Sequence, residues 1–338
     1  MVVNTRQDPR SHPGGLLSGQ QGRRRKESLL GYLYISPATV ILLAFHLLPV
    51  LYALYISLHK WKIVKSDFLG LGNYVKVLED PHFWTSLKVT VFYVLGTVPA
   101  TLAISLFLAY LLFQKVRGLS VYRTVFFLPY ITSTVASSAV WVWIFNPRHG
   151  PLNQILELIG IPAQTWMLEP RGIFEILGEG LGVSVPSWAA GPSLALVAIM
   201  VFVIWFYVGW DIVVFLAGLG RIPTELYDAA KIDGAGAWSL FRHITLPLLS
   251  PTIFFLTLMA MIGSFRAFSQ IYVMTRAAGG QLGGPLRTTT TTSILMFDYF
   301  YSRVRFGYAS AIAFVLFVVI LLLTRIQQRI GRDVVFYQ

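Results

Sequence analysis

The sequence predicts an all-α membrane protein with six core transmembrane helices, and three observations predict it. Of the 338 residues, 55% are hydrophobic and only 12% charged, against about 25% charged in soluble domains. Such a chain cannot cover a water-facing surface, which excludes a soluble enzyme. Six segments reach the ~20 mostly apolar residues that a span requires: about 30–57, 86–113, 122–146, 192–219, 251–275 and 307–326. Each is too apolar on every side to be one face of a soluble helix. Finally, Tyr32, Tyr34, Trp61, Trp84, Trp141, Trp143, Tyr299 and Tyr301 crowd the segment ends, as amphipathic rings do at the membrane–water interface.

Taken in order, residues 1–28 form a polar tail ending in Arg23-Arg24-Arg25-Lys26, expected to be disordered and cytoplasmic. The apolar run that follows is too long for a signal-peptide core, so it reads as an uncleaved first span. Pro37, Pro49, Pro99 and Pro129 fall inside spans, where neighbouring helices satisfy the freed backbone groups. An even number of spans places both termini on one side. With the N-terminus inside, the cytoplasmic pieces carry Lys115, Arg117, Arg221, Lys231, Arg242, Arg329 and Arg332, and 327–338 is a cytoplasmic tail. The 27 Lys and Arg against 15 Asp and Glu, a net charge of +12, then follow the positive-inside bias rather than signalling nucleic acid. The outer loops are 58–85, 147–191 and 276–306. The longest, 147–191, predicts small surface helices. The Gly and Pro residues of 276–306 predict turns, and its run Thr288–Thr292 fits a strand or an extended loop equally.

No cysteine is present, which removes disulfides and thiolate metal sites. No G-x-x-x-x-G-K-[ST] phosphate cradle occurs. A membrane-embedded enzyme would need a clustered acid/base or metal set, and the spans hold only isolated charges. An ion-coupled secondary transporter would show internal repeats, and none is visible.

The cytoplasmic loop 220–250 is the informative segment. It runs Ile222-Pro223-Thr224-Glu225-Leu226-Tyr227-Asp228-Ala229-Ala230-Lys231-Ile232-Asp233-Gly234-Ala235 and closes on Leu246-Pro247. Thr224 can cap a helix. Glu225 and Asp228 suit its first turn and Lys231 its last, where the helix dipole favours each sign. Gly234 supplies the left-handed stop. A second helix, about Ala235–Thr245, leads back to the membrane. The expected result is a helix–glycine–helix elbow with a flat Ala229-Ala230 side, suited to entering a groove on another protein.

Residues 223–251 resemble the EAA loop of ABC-type importer permeases. The positions that carry the resemblance include Glu225, Tyr227, Ala229, Ala230, Asp233, Gly234, Ala235, Leu246 and Pro247, with Asp228 where the family most often has Glu. Phe68–Tyr74, Phe127–Ile131, Ile144–Pro147 and Phe215–Leu219 are similar to the carbohydrate-uptake branch, in particular its first, maltose- and glycerol-phosphate-type subunit. Residues 171–191 fit less well and read as an insertion. The resemblance implies a non-catalytic subunit of a bacterial or archaeal cytoplasmic (inner) membrane. It implies a second homologous permease, two cytoplasmic ATPases that carry ATP and Mg, and an external solute-binding protein. It also implies alternating access, with the elbow's first helix as the coupling helix.

Ionisable residues within spans are functional candidates. Asp211 lies in the fourth segment and Arg266 in the fifth. At about 1.5 Å per residue they lie roughly 12 and 22 Å from their cytoplasmic ends, so pairing requires tilt or a kink. By resemblance to sugar permeases, Trp205, Tyr207, Asp211, Ser264, Arg266 and Ser269 are the expected solute path. Rings would pack on a sugar's apolar face and polar groups would meet its hydroxyls. Arg266 would also suit glycerol-3-phosphate or another polyol phosphate.

Overall fold

A computed structural model describes residues 14–114 and 118–334, with backbone alone at 14–26, 28, 65, 66, 333 and 334. Residues 1–13 of the expected tail, Lys115, Arg117 and residues 335–338 lie outside the described residues, as do the side chains of Arg23–Lys26. Residues up to Ile56 form one compact unit and those from Ser57 a second.

The first unit is helical. Helix α1 (Gly14–Leu42) passes through a π-turn at Leu43–Leu47 into α2 (Leu48–Ser57). The backbone is thus already helical across 14–28, in keeping with the good helix formers Gln, Arg and Lys there. Leu29–Ser57 is long and apolar enough to cross a membrane.

The second unit opens with a hairpin, β1 (His59–Trp61) against β2 (Lys65–Phe68), antiparallel with an irregular register. Next come α3 (Gly72–Glu79), α4 (Pro81–Phe113), α5 (Leu119–Ile131) and α6 (Thr134–Ile144). The loop 147–191 holds α7 (Pro151–Leu158) and α8 (Ile173–Gly180). It does form small helices, and an isolated bridge between Gly172 and Ser193 closes its base. Helix α9 (Leu194–Leu219) precedes the elbow helices α10 (Thr224–Ile232), α11 (Ala237–Leu240) and α12 (Leu246–Leu248). Helices α13 (Ser250–Phe265), α14 (Ser269–Ala277), α15 (Thr292–Phe297) and α16 (Phe306–Val334) complete the chain. Among the described residues the only named strands are the two of the hairpin, so the fold is all-α. Thr288–Thr291 form no strand, and Thr289, Thr290 and Thr291 are buried.

Among the described residues four helices can span a membrane: Leu29–Ser57, Pro81–Phe113, Leu194–Leu219 and Phe306–Arg332. Two bent pairs bring the number to six. The third segment is broken by 95° between α5 and α6. Thr132 and Ser133 there are extended, and the Ser133 hydroxyl caps α6 by accepting from the Ala136 N–H. The fifth bends by 63° between Ala237–Leu248 and Ser250–Phe265, beside Pro247 and Pro251, which each lack a backbone donor. It ends at Phe265, short of the expected boundary. Arg266 caps its C-terminus and is exposed, so it stands just past the end of the helix rather than within it. An uncompensated guanidinium is costly in lipid, and the helix stops where it occurs.

Helices α4 and α9 form the centre. Tyr93 packs with Leu196, Ile199 and Phe202 near their starts, and Ala109 and Leu112 with Phe215 and Leu219 near their ends. The two helices therefore run parallel. Thr97, Thr101 and Ser105 donate to the carbonyls four residues back, and Ser105 also reaches the Val208 carbonyl at 3.2 Å.

Asp80 anchors the start of α4. Its Oδ1 accepts from the His82 N–H at 2.9 Å, and its Oδ2 from the Tyr299 and Tyr308 hydroxyls at 2.9 and 2.8 Å. Burial works to raise this carboxyl, but the His82, Tyr308 and Tyr299 hydrogen bonds outweigh it and hold the pKa below the ordinary value. A depressed pKa stabilises the fold above the unfolded carboxylate's pKa of about 4, and that contribution is lost as pH falls through the folded value. Amide protection at the start of α4 is expected to hold from about pH 7 to about pH 4 and to fall below that. A loss beginning near pH ~6 would contradict this role.

Candidate functional site: an aromatic-lined cavity and a membrane-end elbow

The elbow is built as its residues dictate. Helix α10 begins at Thr224 itself, with Pro223 in the cap position and no side-chain cap bond, which corrects the expected Thr224 cap. Proline fixes its own φ and leaves ψ at 131°, an entry angle that needs no hydroxyl. Gly234 has φ +81°. Its N–H donates to Lys231 at 3.0 Å, and the Ala235 N–H donates to Ala230 at 2.9 Å, as in a left-handed helix stop. The return helix starts at Ala237 and passes through a π-turn at Phe241–Thr245 to Leu248, beyond the expected end.

Tyr227 braces the two arms, its hydroxyl 3.0 Å from the Thr245 hydroxyl. Burial raises the Tyr227 pKa against the lowering effect of that bond. Tyr227 and Ile244 pack on Leu219, Ile222 and Leu249, which ties the elbow to α9 and α13. Glu225, Leu226, Asp228, Ala229, Ile232 and Asp233 are exposed, and Lys231 meets Asp228 at 3.5 Å. Leu246 and Pro247 lie in α12, at the bend.

A cavity of about 240 Å³ opens between α4, α5, α9 and α13. Helix α4 contributes Tyr93, Thr97 and Thr101, and α9 contributes Tyr207, Trp210 and Asp211. Ser264 of α13, Gln270 of α14 and Tyr130 of α5 complete its polar and aromatic lining. Gln270 Nε2 donates to the Tyr93 hydroxyl at 3.0 Å. Tyr130 stacks on Trp210 with centroids 5.1 Å apart and lies 5.8 Å from Tyr207. Asp211 is buried, with 6% exposure. Among the described residues it has neither an ion pair nor a hydrogen bond. Among the described residues it is the only Asp, Glu, Lys, Arg or His in the lining.

Of the six expected path residues, the fold brings Tyr207, Asp211 and Ser264 together. Trp205 instead packs on Trp141 at 5.3 Å. Arg266 and Ser269 are exposed at the break after α13 and do not line the cavity. The lining also includes Tyr93, Thr97, Thr101, Tyr130, Trp210 and Gln270, which span-by-span reading missed. The four-residue spacing of Tyr93, Thr97, Thr101 and Ser105 was a visible signal, since it places polar groups on one helix face. Among the described residues no group of three or more His, Asp or Glu is arranged to hold a metal ion.

The chain is 34% identical over 309 residues to the trehalose/maltose transport system permease protein MalF of Thermococcus litoralis, covering 91% of this chain and 95% of that protein. It is 31% identical over 312 residues to the lactose transport system permease protein LacF of Rhizobium radiobacter, covering 92% and 96%. A chain of a bacterial alginate ABC transporter, crystallised in complex with an alginate pentasaccharide-bound periplasmic protein, shares the fold. The TM-score is 0.75 at 20% identity, over 92% of this chain and 96% of that one. Residues 101–335 match the family described as "Binding-protein-dependent transport system inner membrane component". The chain belongs to that family, and is a membrane-integral permease of an ABC importer.

Proposed function

We propose that this permease carries an uncharged sugar or oligosaccharide through the cavity beside Asp211. The observation that carries the reading is one buried carboxylate, without a counter-ion, set among Tyr130, Tyr207 and Trp210. Aromatic faces pack on the apolar face of a sugar ring, and a carboxylate accepts from its hydroxyls in strong charge-assisted bonds. The sugars in the names of the relatives point the same way. A polyol phosphate would need a cation in the lining. Arg266, the residue that suited it, lies outside the cavity, and a carboxylate repels phosphate.

In this reading a second permease completes the path, and an external binding protein delivers the solute to loops 147–191 and 276–306. Two cytoplasmic ATPases hold ATP and Mg, in keeping with a sequence that lacks the phosphate cradle. The chain performs no catalysis. The termini and the elbow are cytoplasmic, and the exposed α10 surface at Glu225, Leu226, Asp228 and Ile232 seats in the ATPase. Coupling then consists of different contacts between α10 and the two ATPase states.

The test is uptake by the assembled importer in proteoliposomes with its binding protein. Asp211→Asn is expected to lower neutral-sugar uptake on the order of tenfold, the worth of one charge-assisted hydrogen bond, with assembly intact. Wild-type uptake in that variant, or preferred transport of glycerol-3-phosphate by the native protein, would sink the reading.

A further inference from the structure

At the end of α4 away from the elbow lies a second cavity, of about 450 Å³, where the β1–β2 hairpin, α3 and the starts of α4 and α16 meet. Its walls carry Lys60, Lys62, Lys76 and Arg305. Among the described residues the only carboxylate in the walls is Asp80, whose oxygens already accept from His82, Tyr299 and Tyr308. Among the described residues none of the four cations pairs with a carboxylate within 4.0 Å. The nearby Asp298 is taken by Arg287 and Arg303, at 3.4 and 3.1 Å. Four like charges around one concavity focus a positive field that favours an anion.

The frame of this cavity is rigid. Buried Asn73 donates to the Ser57 and His59 carbonyls at 2.8 and 2.9 Å. A Cβ at Gly307 would lie 2.1 Å from the His59 carbonyl oxygen, so α16 rests directly on the hairpin. Lys60 sits on β1 and Lys76 on α3, while Lys62 lies in the hairpin turn and Arg305 directly before α16.

A second observation indicates the source of the anion. The hairpin tip, Ile63 and Val64, is 82% and 74% exposed, and Phe68, at the base of the hairpin opposite His59, is 68% exposed. Large apolar side chains next to lysines, at the ends of two membrane-crossing helices, match the head-group layer of a bilayer. We propose that this cavity binds the phosphate of an anionic phospholipid head group, with Ile63 and Val64 seated in the lipid interface. The bound lipid ties the hairpin, α4 and α16 together at this end.

The test uses the full-length chain in its assembled transporter, purified with equal phosphatidylglycerol and phosphatidylcholine, with retained lipid measured by mass spectrometry. Phosphatidylglycerol is expected to exceed phosphatidylcholine on the order of tenfold. The double variant Lys76→Gln/Arg305→Gln is expected to weaken its retention on the order of thirtyfold, as removal of two cations at the bilayer surface predicts. Its elution should match the native protein. If that variant fails to assemble, Lys60→Gln/Lys62→Gln in the hairpin makes the same test. Equal retention of the two lipids, or retention unchanged in an assembled variant, would overturn the proposal. A third arm measures inorganic phosphate binding to delipidated protein. Phosphate that binds there, with the same variant sensitivity, while no lipid is retained would overturn the lipid source.

Discussion

Replacing Gly234 with proline is expected to abolish coupled uptake, by on the order of a hundredfold, the upper range of a coupling free energy between two sites. The chain should still reach the membrane, because the spans are untouched. The effect is purely one of backbone. Gly234 sits at φ +81°, and an added Cβ would meet nothing within 4 Å. Proline is locked near −65° and has no N–H. It therefore loses the bond to Lys231, and with the turn reversed it also loses the bond from Ala235 to Ala230. Helix α10 would meet the return helix α11 at the wrong angle, while its exposed residues stayed chemically intact. Gly234→Asn is the control, since Asn visits the left-handed region. ATPase activity no longer stimulated by the binding protein, together with lost uptake, is the expected signature. Native uptake by the proline variant would remove the elbow from the mechanism.

Gly209→Val is expected to break the packing of α5 on α9. A Cβ at this position would lie 1.8 Å from the Phe126 carbonyl oxygen and 2.5 Å from its carbonyl carbon. Both are backbone atoms, so no rotamer change relieves the clash, and α5 must move. Overpacking costs about 1–3 kcal/mol, occasionally more, and here it also pulls Tyr130 off Trp210 at the wall of the cavity. A lower unfolding midpoint in thermal size-exclusion measurements, with lost uptake, is the expected result. Gly263→Ala serves as the contrast, because its Cβ would meet nothing within 4 Å, and alanine is the better helix former. An unchanged midpoint for Gly209→Val would show that α5 and α9 are not in close contact.

These two glycines mark where sequence reading works and where it stops. Gly234 was legible because its role is local. Pro223, the acidic first turn and Lys231 define one short helix, and the chain must turn where it ends. The spans were legible for a similar reason, since the length of an apolar run is a one-dimensional property set by the bilayer. Gly209 and Gly263 lie in equally apolar runs, and nothing local distinguishes the one that touches a neighbouring backbone.

The same limit explains the cavity. Asp211 could be nominated from cost alone, because a carboxylate in an apolar helix needs a reason. Arg266 met the same criterion yet stands exposed at a helix end, since the sequence did not show that the fifth span stops at Phe265. Trp205 and Tyr207 are two residues apart on α9, but only Tyr207 faces the cavity. A helix apolar on all sides carries no periodicity to say which side meets which neighbour. By itself the sequence determined the number and approximate place of the apolar segments, the elbow and the family. Tertiary structure decided which faces meet, and so brought Tyr93 and Gln270 to Asp211 and gathered Lys60, Lys76 and Arg305 around one cavity. Those placements depend on contacts between residues far apart in the chain, and no single segment encodes them.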